Sequence, residues 1–251
     1  MRPNQLIERW RQGKPATNCW LSLGNLLATE ILSHQGWHSL TVDLQHGASD
    51  YAQMCAMLTA ISTTDVTPLV RIPWNNPGDA MRALDAGAYG IICPNVDTRH
   101  DCEKFVSACR YAPMGTRSFG PRRAMLYAGD DYVQHANTTL LTIVQIESAV
   151  ALANVDDIAA VEGLDMLYVG PSDLGLSLGR APRADPTDPI TVEAIDKILK
   201  AAKRAKLRSG IYCRSADYAL QMVAKGFDLV TVTSDEGLLA TGSAMAARFA
   251  K

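Results

Sequence analysis

Four short apolar runs of the sequence each end in a side chain that can carry out chemistry. The first run ends at His46, the second at Arg71, the third at Glu147 and the fourth at Asp173. Short runs of this kind are typical of buried parallel strands, and in a barrel of such strands the carboxyl ends converge on one mouth. The pattern therefore predicts that an imidazole, a guanidinium and two carboxylates share one pocket.

Glu147 and Asp173 are the candidate metal ligands. Each follows an apolar strand, so both carboxylates are expected to enter one partly desolvated pocket, where they repel each other. A divalent cation removes this repulsion, and two oxygen ligands without a cysteine or histidine cage favour Mg²⁺ or Mn²⁺ over structural zinc. The alternative is that Glu147 caps a helix beginning at Ser148 and that Asp173 caps a turn.

His46 and Arg71 are the candidate catalytic residues. Asp43 precedes His46 by three residues, and a histidine held by a carboxylate can act as a general acid and base near neutral pH. The alternative is a hydrogen-bonded structural histidine. A buried Arg71 requires an anionic partner, either a neighbouring carboxylate or a substrate oxyanion. Backbone N–H groups of residues 170–173 are suited to a substrate carboxylate.

The elements that position these residues alternate between strand and helix. Apolar residues recur at helical spacing over 54–61 and 102–109, and helix starts are predicted at Asn76, before Pro77, and at Thr98, in a capping box with Asp101. Strand then helix, eight times, predicts a TIM (β/α)8 barrel, a single domain over 1–251. The predicted strands are 18–23, 39–44, 67–72, 90–94, 141–146, 166–170, 209–213 and 229–233.

Composition fits this fold and excludes several functions. The 251 residues are 47% hydrophobic and 20% charged, which is sufficient for a large core. The net charge of −2, without a basic cluster, gives no reason to expect nucleic acid or an anionic membrane as a partner. The six cysteines form no C-x-x-C pair and are expected to be reduced, packed thiols. Residues 1–14 show neither a signal peptide nor a membrane span, which predicts a cytoplasmic protein.

Two segments depart from the alternation of strand and helix. Residues 111–139 form a long connection of the kind found at functional sites or interfaces, and residues 174–189 are predicted to form a loop over the pocket mouth.

No lysine lies on a predicted strand, so Schiff-base chemistry has no candidate residue. No Walker loop and no G-x-G-x-x-G follows a strand, which argues against nucleotide-dependent chemistry.

Four motifs, taken in order, resemble one enzyme family. They are Asp-Leu-Gln-His-Gly (43–47), Val-Arg-Ile-Pro (70–73), Gln-Ile-Glu-Ser (145–148) and Gly-Pro-Ser-Asp-Leu (170–174). They resemble the metal-dependent class II pyruvate aldolases of the HpcH/HpaI hydroxyketoacid aldolase family, and the similarity runs from residue 18 to residue 235. The resemblance implies a barrel whose C-terminal helix is exchanged between subunits, a homohexamer built as a trimer of dimers, and reversible aldol addition of pyruvate to an aldehyde.

The resemblance also implies the ligands of the metal and of pyruvate. Glu147 and Asp173 would bind Mg²⁺, Mn²⁺ or Co²⁺, which chelates the keto and carboxylate oxygens of pyruvate. Arg71 would stabilise the enolate and the developing alkoxide. The positions that match substrate-binding residues are Trp20, Arg71, Gln145, Gly170, Ser172 and Asp173.

Proton transfer is assigned in the same way. His46, oriented by Asp43, would move the proton, and Asp85 matches a carboxylate that reaches the histidine from a neighbouring subunit. The chain departs from better-known members in carrying Gln45 in place of a glutamate and Thr233 in place of a glycine. The first departure removes one negative charge beside the histidine.

The predicted function is the reversible cleavage of 4-hydroxy-2-oxo acids to pyruvate and an aldehyde through an enolate. Two alternatives belong to other classes. One is a CoA-ester lyase of the citryl-CoA or malyl-CoA type, which uses a similar carboxylate pair but requires a nucleotide site that the sequence does not show. The other is a non-catalytic barrel that binds a metal ion or an oxoacid without cleaving it.

Overall fold

A closed barrel of eight parallel strands, in the order of the sequence, forms the centre of the molecule. The computed structural model describes residues 1–250. The predicted TIM-type barrel is confirmed, and the strands end within two residues of the predicted positions. They are β1 (Ala16–Leu21), β2 (Ser39–Asp43), β3 (Thr67–Arg71), β4 (Gly90–Cys93), β5 (Leu141–Ile146), β6 (Met166–Val169), β7 (Arg208–Tyr212) and β8 (Leu229–Ser234).

Helices surround the barrel and connect its strands. A short 3-10 helix, Ala247–Ala250, follows the last of them. The α-helices are α1 (Gln5–Arg11), α2 (Leu26–Ser33), α3 (Tyr51–Ile61), α4 (Pro77–Asp85), α5 (Arg99–Cys109), α6 (Arg122–Ala128), α7 (Tyr132–Thr139), α8 (Ala149–Ala153), α9 (Val155–Ala159), α10 (Pro171–Ser177), α11 (Pro189–Arg204), α12 (Ala216–Lys225) and α13 (Asp235–Ala246). Within residues 1–250, no helix combines the length and the apolar character that a bilayer crossing requires.

Side chains of the strands alternate between two cores. Residues such as Leu40, Val42 and Val70 belong to the outer core between strands and helices, whereas Leu69, Ile143 and Tyr168 belong to the inner core of the barrel. Because successive strand residues face opposite sides, the polar residues in phase with the inner set also point into the barrel. This alternation carries Trp20, Asp43, Arg71 and Gln145 to the inside.

Helix α1 packs at the end of the barrel opposite the chemistry. Leu6 and Trp10 join the inner core, and the indole N–H of Trp10 donates to the backbone oxygen of Asp228 at 3.0 Å, just before β8. Asn4 caps the helix by accepting a hydrogen bond from the N–H of Leu6. With this end covered, access to the interior is from the carboxyl ends of the strands.

The predicted helix starts at Asn76 and Thr98 are confirmed, including the capping box with Asp101. The two predicted long loops contain more structure than expected. Helices α6 and α7 lie within 111–139, and α10 occupies the first part of 174–189. Short amphipathic segments of seven or eight residues give weak periodic patterns, and tertiary packing determines their conformation.

Candidate active site

A cavity of about 270 Å³ opens at the carboxyl end of the barrel. Predicted site residues from the strands, namely Trp20, Asp43, Arg71 and Gln145, line its floor. Predicted residues that follow the strands, in loops or in the first turn of α10, form its rim, namely His46, Gly170, Ser172 and Asp173. The structure therefore brings the side chains of four separate strand ends into one concave site, the position at which TIM barrels carry out chemistry.

Arg71 and Asp43 form a buried ion pair on the pocket floor. The guanidinium donates from Nε to Asp43 Oδ1 at 2.9 Å and from Nη2 to Oδ2 at 2.7 Å, and only 10% of the Arg71 side chain is exposed. Its central carbon lies 4.8 Å from the centroid of the Trp20 ring. Within residues 1–250, Arg71 Nη1 has no hydrogen-bond partner, so this end of the fork is free to bind an anionic oxygen of a ligand.

The carboxylate of Asp43 positions the arginine. Its contact with His46 is to the backbone N–H, at 3.4 Å, and it also accepts the N–H of Gln45 at 3.0 Å. Burial by itself raises the pKa of Asp43, but the hydrogen bonds and charge of Arg71 outweigh burial and hold this pKa below its ordinary value. Within residues 1–250, Asp43 makes no hydrogen bond to the His46 ring, so the orientation of His46 by Asp43 stays a prediction for which this geometry offers no side-chain contact.

Glu147 is a buried carboxylate held by two donors. Its Oε1 accepts the backbone N–H of Asn95 at 2.8 Å, and its Oε2 accepts Nε2 of Gln145 at 2.5 Å. Asn95 has φ of 54°, and this left-handed conformation directs its N–H at the carboxylate. Burial, and then the negative charge of Asp173, raise the pKa of Glu147 to about 7 despite the opposing donors.

Gly170 leaves the space beside the Glu147 carboxylate open. A Cβ at this position would lie 2.5 Å from Gln145 Nε2 and 2.8 Å from Glu147 Oε2, so any other residue would occupy the site. Asp173 lies in the first turn of α10 at the pocket rim, and no side chain caps this helix. Ser148, not Glu147, caps α8. The alternative in which the two carboxylates serve as caps is therefore wrong.

The donor set fits a divalent cation. Burial and a neighbouring acid both disfavour the ionised form of a carboxyl group. A cation bound to the two carboxylates offsets the unfavourable burial of charge and the repulsion between them. Within residues 1–250, no group of three or more His, Cys, Asp or Glu side chains is arranged to hold a metal ion. An ion bound by Glu147 and Asp173 would therefore take its remaining ligands from water or substrate, which is typical of catalytic magnesium sites.

A family model for HpcH/HpaI aldolase/citrate lyase matches residues 16–241. The chain belongs to this family. It is 40% identical over 240 residues to the hydroxypyruvate/pyruvate aldolase of Rhizorhabdus wittichii, with 96% of each sequence covered. It is 36% identical to the 5-keto-4-deoxy-D-glucarate aldolase of Escherichia fergusonii, over 96% of this chain and 94% of that protein. The predicted family and the predicted enzyme class, a carbon–carbon lyase of the aldolase type, are confirmed.

Solved structures with the same fold agree with this assignment. A family protein from Burkholderia cenocepacia superposes with a TM-score of 0.91 at 34% identity, over 98% of this chain and 99% of that chain. Citrate synthase SbnG superposes with a TM-score of 0.88 at 26% identity, over 98% and 97% of the two chains. A similar fold therefore occurs in a protein named as a member of the aldolase/citrate lyase family and in one named as a citrate synthase, so the local residues must decide the reaction.

Asp85 is the predicted site residue that lies away from the pocket. It ends α4, and its Oδ1 accepts Nη2 of Arg117 at 2.7 Å. Arg117 is itself buried, donates to the hydroxyl of Tyr132 at 3.0 Å and lies over the ring of Tyr111. Within one protomer, Asp85 is therefore anchored by residues of the 111–139 segment and does not contact His46.

The sequence reasoning missed two tyrosines of the HpcH/HpaI pocket. Tyr168 is fully buried, its hydroxyl lies 2.6 Å from Oγ1 of Thr231, and its ring packs 5.9 Å from that of Trp20. Tyr212 meets Trp20 edge-on at 5.6 Å. Gly210 makes this packing possible, because a Cβ there would lie 2.5 Å from the Tyr168 ring. Strand alternation would have identified Tyr168, which is two residues before Gly170 and faces the same side.

Proposed function

We propose that this protein is a divalent-metal-dependent aldolase that cleaves 4-hydroxy-2-oxo acids reversibly to pyruvate and an aldehyde. The observation that carries the proposal is the guanidinium of Arg71, held rigidly by Asp43, on the floor of the pocket that Asp173 lines, with the buried Glu147 carboxylate beside Gly170 of the same pocket. A cation held by two acids and a fixed arginine suit a small α-keto acid, whose reaction develops negative charge on oxygen.

Glu147 and Asp173 would hold the metal ion. When bound, the ion supplies Lewis-acid stabilisation of the negative charge that develops as pyruvate forms its enolate. Gln145 positions the Glu147 carboxylate through its amide N–H, and Gly170 keeps the adjacent space free. Trp20 packs over Arg71 and limits water at the pocket floor.

The residues of the chain account for the bond changes of cleavage. The C4 hydroxyl of the substrate loses its proton to His46, the C3–C4 bond breaks, and its electron pair forms the enolate while C4 becomes the aldehyde carbonyl. Arg71 donates to the oxygen that carries the developing alkoxide charge. His46 then returns a proton to C3 and forms the methyl group of pyruvate. Addition is the same sequence in reverse.

The absence of lysine from the pocket supports the metal-dependent route over a Schiff base. Lys104, Lys197, Lys200 and Lys203 lie on outer helices, and Lys225 lies on α12. Lys206 follows α11, outside the helix in which the sequence pattern placed it. Within residues 1–250, none of the residues that line the pocket is a lysine, so these residues supply no side-chain amine to form an imine with a keto acid.

The proposed function is tested by incubating the protein and Mn²⁺ or Mg²⁺ with pyruvate and a panel of aldehydes, and by following the loss of pyruvate. Formation of 4-hydroxy-2-oxo acids supports the proposal. Saturable turnover of CoA esters without aldol products would indicate the citryl-CoA or malyl-CoA lyase type. Binding of pyruvate without turnover of any aldehyde would indicate a non-catalytic barrel.

We expect Arg71→Lys to lower kcat by about 10²-fold to 10³-fold, on the scale of losing a donor to an oxyanion. Lysine keeps the charge but cannot bind Asp43 with two parallel N–H groups and face the substrate with a third. Arg71→Ala should be worse. The measurement is steady-state kinetics of cleavage, with Arg11→Lys, an exposed arginine of α1, as the matched control. A raised KM with unchanged kcat would assign Arg71 to uniform substrate binding.

The proposal includes a homohexamer in which α13 is exchanged and Asp85 reaches the His46 of a neighbouring subunit. Beyond its first residue α13 packs poorly on its own barrel, and it exposes 63% of Leu239 and 60% of Met245. Helix α2 likewise exposes Leu27 and Ile31. Exposed apolar residues in such number support burial against other subunits. Native mass spectrometry tests this assembly, and a monomer would contradict it.

A further inference from the structure

A second, larger cavity adjoins the catalytic pocket. Its volume is about 820 Å³, and it shares Ser172, Tyr212 and Glu236 with the first. Pyruvate has only three carbons and is held at the floor of the first cavity under the proposed function. A hydroxyketoacid that is too long for the first cavity, or the far end of a long acceptor aldehyde in the reverse reaction, would extend past these shared residues into the second cavity.

Two arginines line the outer cavity without forming an ion pair in the described part of the chain. Neither Arg183 nor Arg214 forms a salt bridge or a side-chain hydrogen bond with any residue of 1–250. Asp185 lies in the same wall, but its Oδ1 accepts the backbone N–H of Arg214 at 2.8 Å and its Oδ2 accepts the hydroxyl of Ser215 at 2.6 Å. This aspartate joins the loop after α10 to the end of β7, and it fixes the wall without a hydrogen bond to either guanidinium group.

The charged residues follow an order along the two cavities. Glu236, at the start of α13, lines both cavities and thus lies at their junction, whereas Arg183 and Arg214 line the outer cavity alone. A ligand that reaches outwards meets an acceptor of hydroxyl protons at the junction and then two guanidinium groups. This order favours an anionic group at the far end of the acceptor and disfavours one next to the aldehyde carbon.

We propose that Arg183 and Arg214 form a subsite that binds the terminal anionic group, a carboxylate or a phosphate, of the acceptor aldehyde. This inference rests on the proposed aldolase function and specifies its substrate class. The subsite acts on specificity alone, because neither arginine lies in the pocket where bonds change. Its residues line only the outer cavity, so neutral aldehydes should react without them.

The test compares matched aldehydes in pyruvate addition. We expect kcat/KM of the wild-type protein to be about 10-fold or more higher for D-glyceraldehyde 3-phosphate than for D-glyceraldehyde, and for succinic semialdehyde than for butanal, the scale of hydrogen bonds to charged groups. The first pair tests phosphate and the second carboxylate. In the double variant Arg183→Gln/Arg214→Gln, both preferences should disappear while the rates with the neutral aldehydes remain unchanged.

Arg180→Gln is the control, because Arg180 is exposed in the same loop but does not line the cavity. It should keep the wild-type preference. Added salt should weaken the preference in the wild type and have no such effect in the double variant. Equal preferences in the wild type and the double variant would overturn the subsite while leaving the aldolase function intact. Failure of every aldehyde to consume pyruvate would instead overturn the aldolase function on which the subsite rests.

Discussion

Removal of divalent metal should abolish aldol cleavage, and Mn²⁺, Co²⁺ or Mg²⁺ should restore it. Without the ion, the enolate charge would develop beside two carboxylates, and Arg71 alone cannot offset both of them. The measurement is activity after dialysis against a chelator and after each metal is added back, with metal content verified independently. Full activity in a metal-free preparation would exclude the class II mechanism.

The same pair of carboxylates predicts how metal binding depends on pH. Because the pKa of Glu147 in the protein without metal is raised to about 7, protons compete with the cation below that value. Affinity for Mn²⁺ should therefore rise as the pH increases through 7 and then level off. In Glu147→Gln, Mn²⁺ should bind much more weakly, and its affinity should no longer rise with pH around 7. Glu162→Gln, a change in an exposed residue outside the pocket, is the matched control and should bind Mn²⁺ like the wild type.

The barrel could be predicted because the apolar spacing typical of strands and the apolar spacing typical of helices can both be read from the local sequence, without knowledge of tertiary contacts. Strand alternation determines that Asp43 and Arg71 face inwards, and parallel register places them side by side on β2 and β3. The same register explains why the positions of Glu147 and Gly170, after neighbouring strands, were predictable. What the sequence could indicate, then, was which residues reach the carboxyl end of the barrel.

Pairings inside the site were less accessible to sequence reasoning. Spacing placed Asp43 near both His46 and Arg71, and only the geometry shows that a buried guanidinium takes both oxygens. The donor to Glu147 from Asn95 is a backbone N–H in a left-handed conformation, and no side-chain motif reveals it. Arg183 and Arg214 lie outside the four motifs. They belong to loops whose conformation depends on the contacts of Asp185, and these contacts cannot be read from the sequence.

The imidazole of His46 lacks a hydrogen-bond partner within residues 1–250, although it lines the catalytic pocket. A structural histidine would be expected to have a partner of its own chain, because such a residue acts by connecting elements. A histidine that moves protons needs access to substrate and a second group that orients it, and the proposed assembly supplies that group as Asp85 of a neighbouring subunit.

Substitution of His46 by alanine should therefore slow aldol cleavage and the exchange of pyruvate methyl protons with D₂O together, each by about 10²-fold to 10⁴-fold. Metal affinity should be unchanged, because the imidazole is not among the proposed ligands. His34→Ala, at the exposed end of α2, is the matched control. Exchange is followed by NMR and folding by thermal melting. Exchange near the wild-type rate with a lowered melting temperature would assign His46 a structural role, and another group would then have to carry the proton.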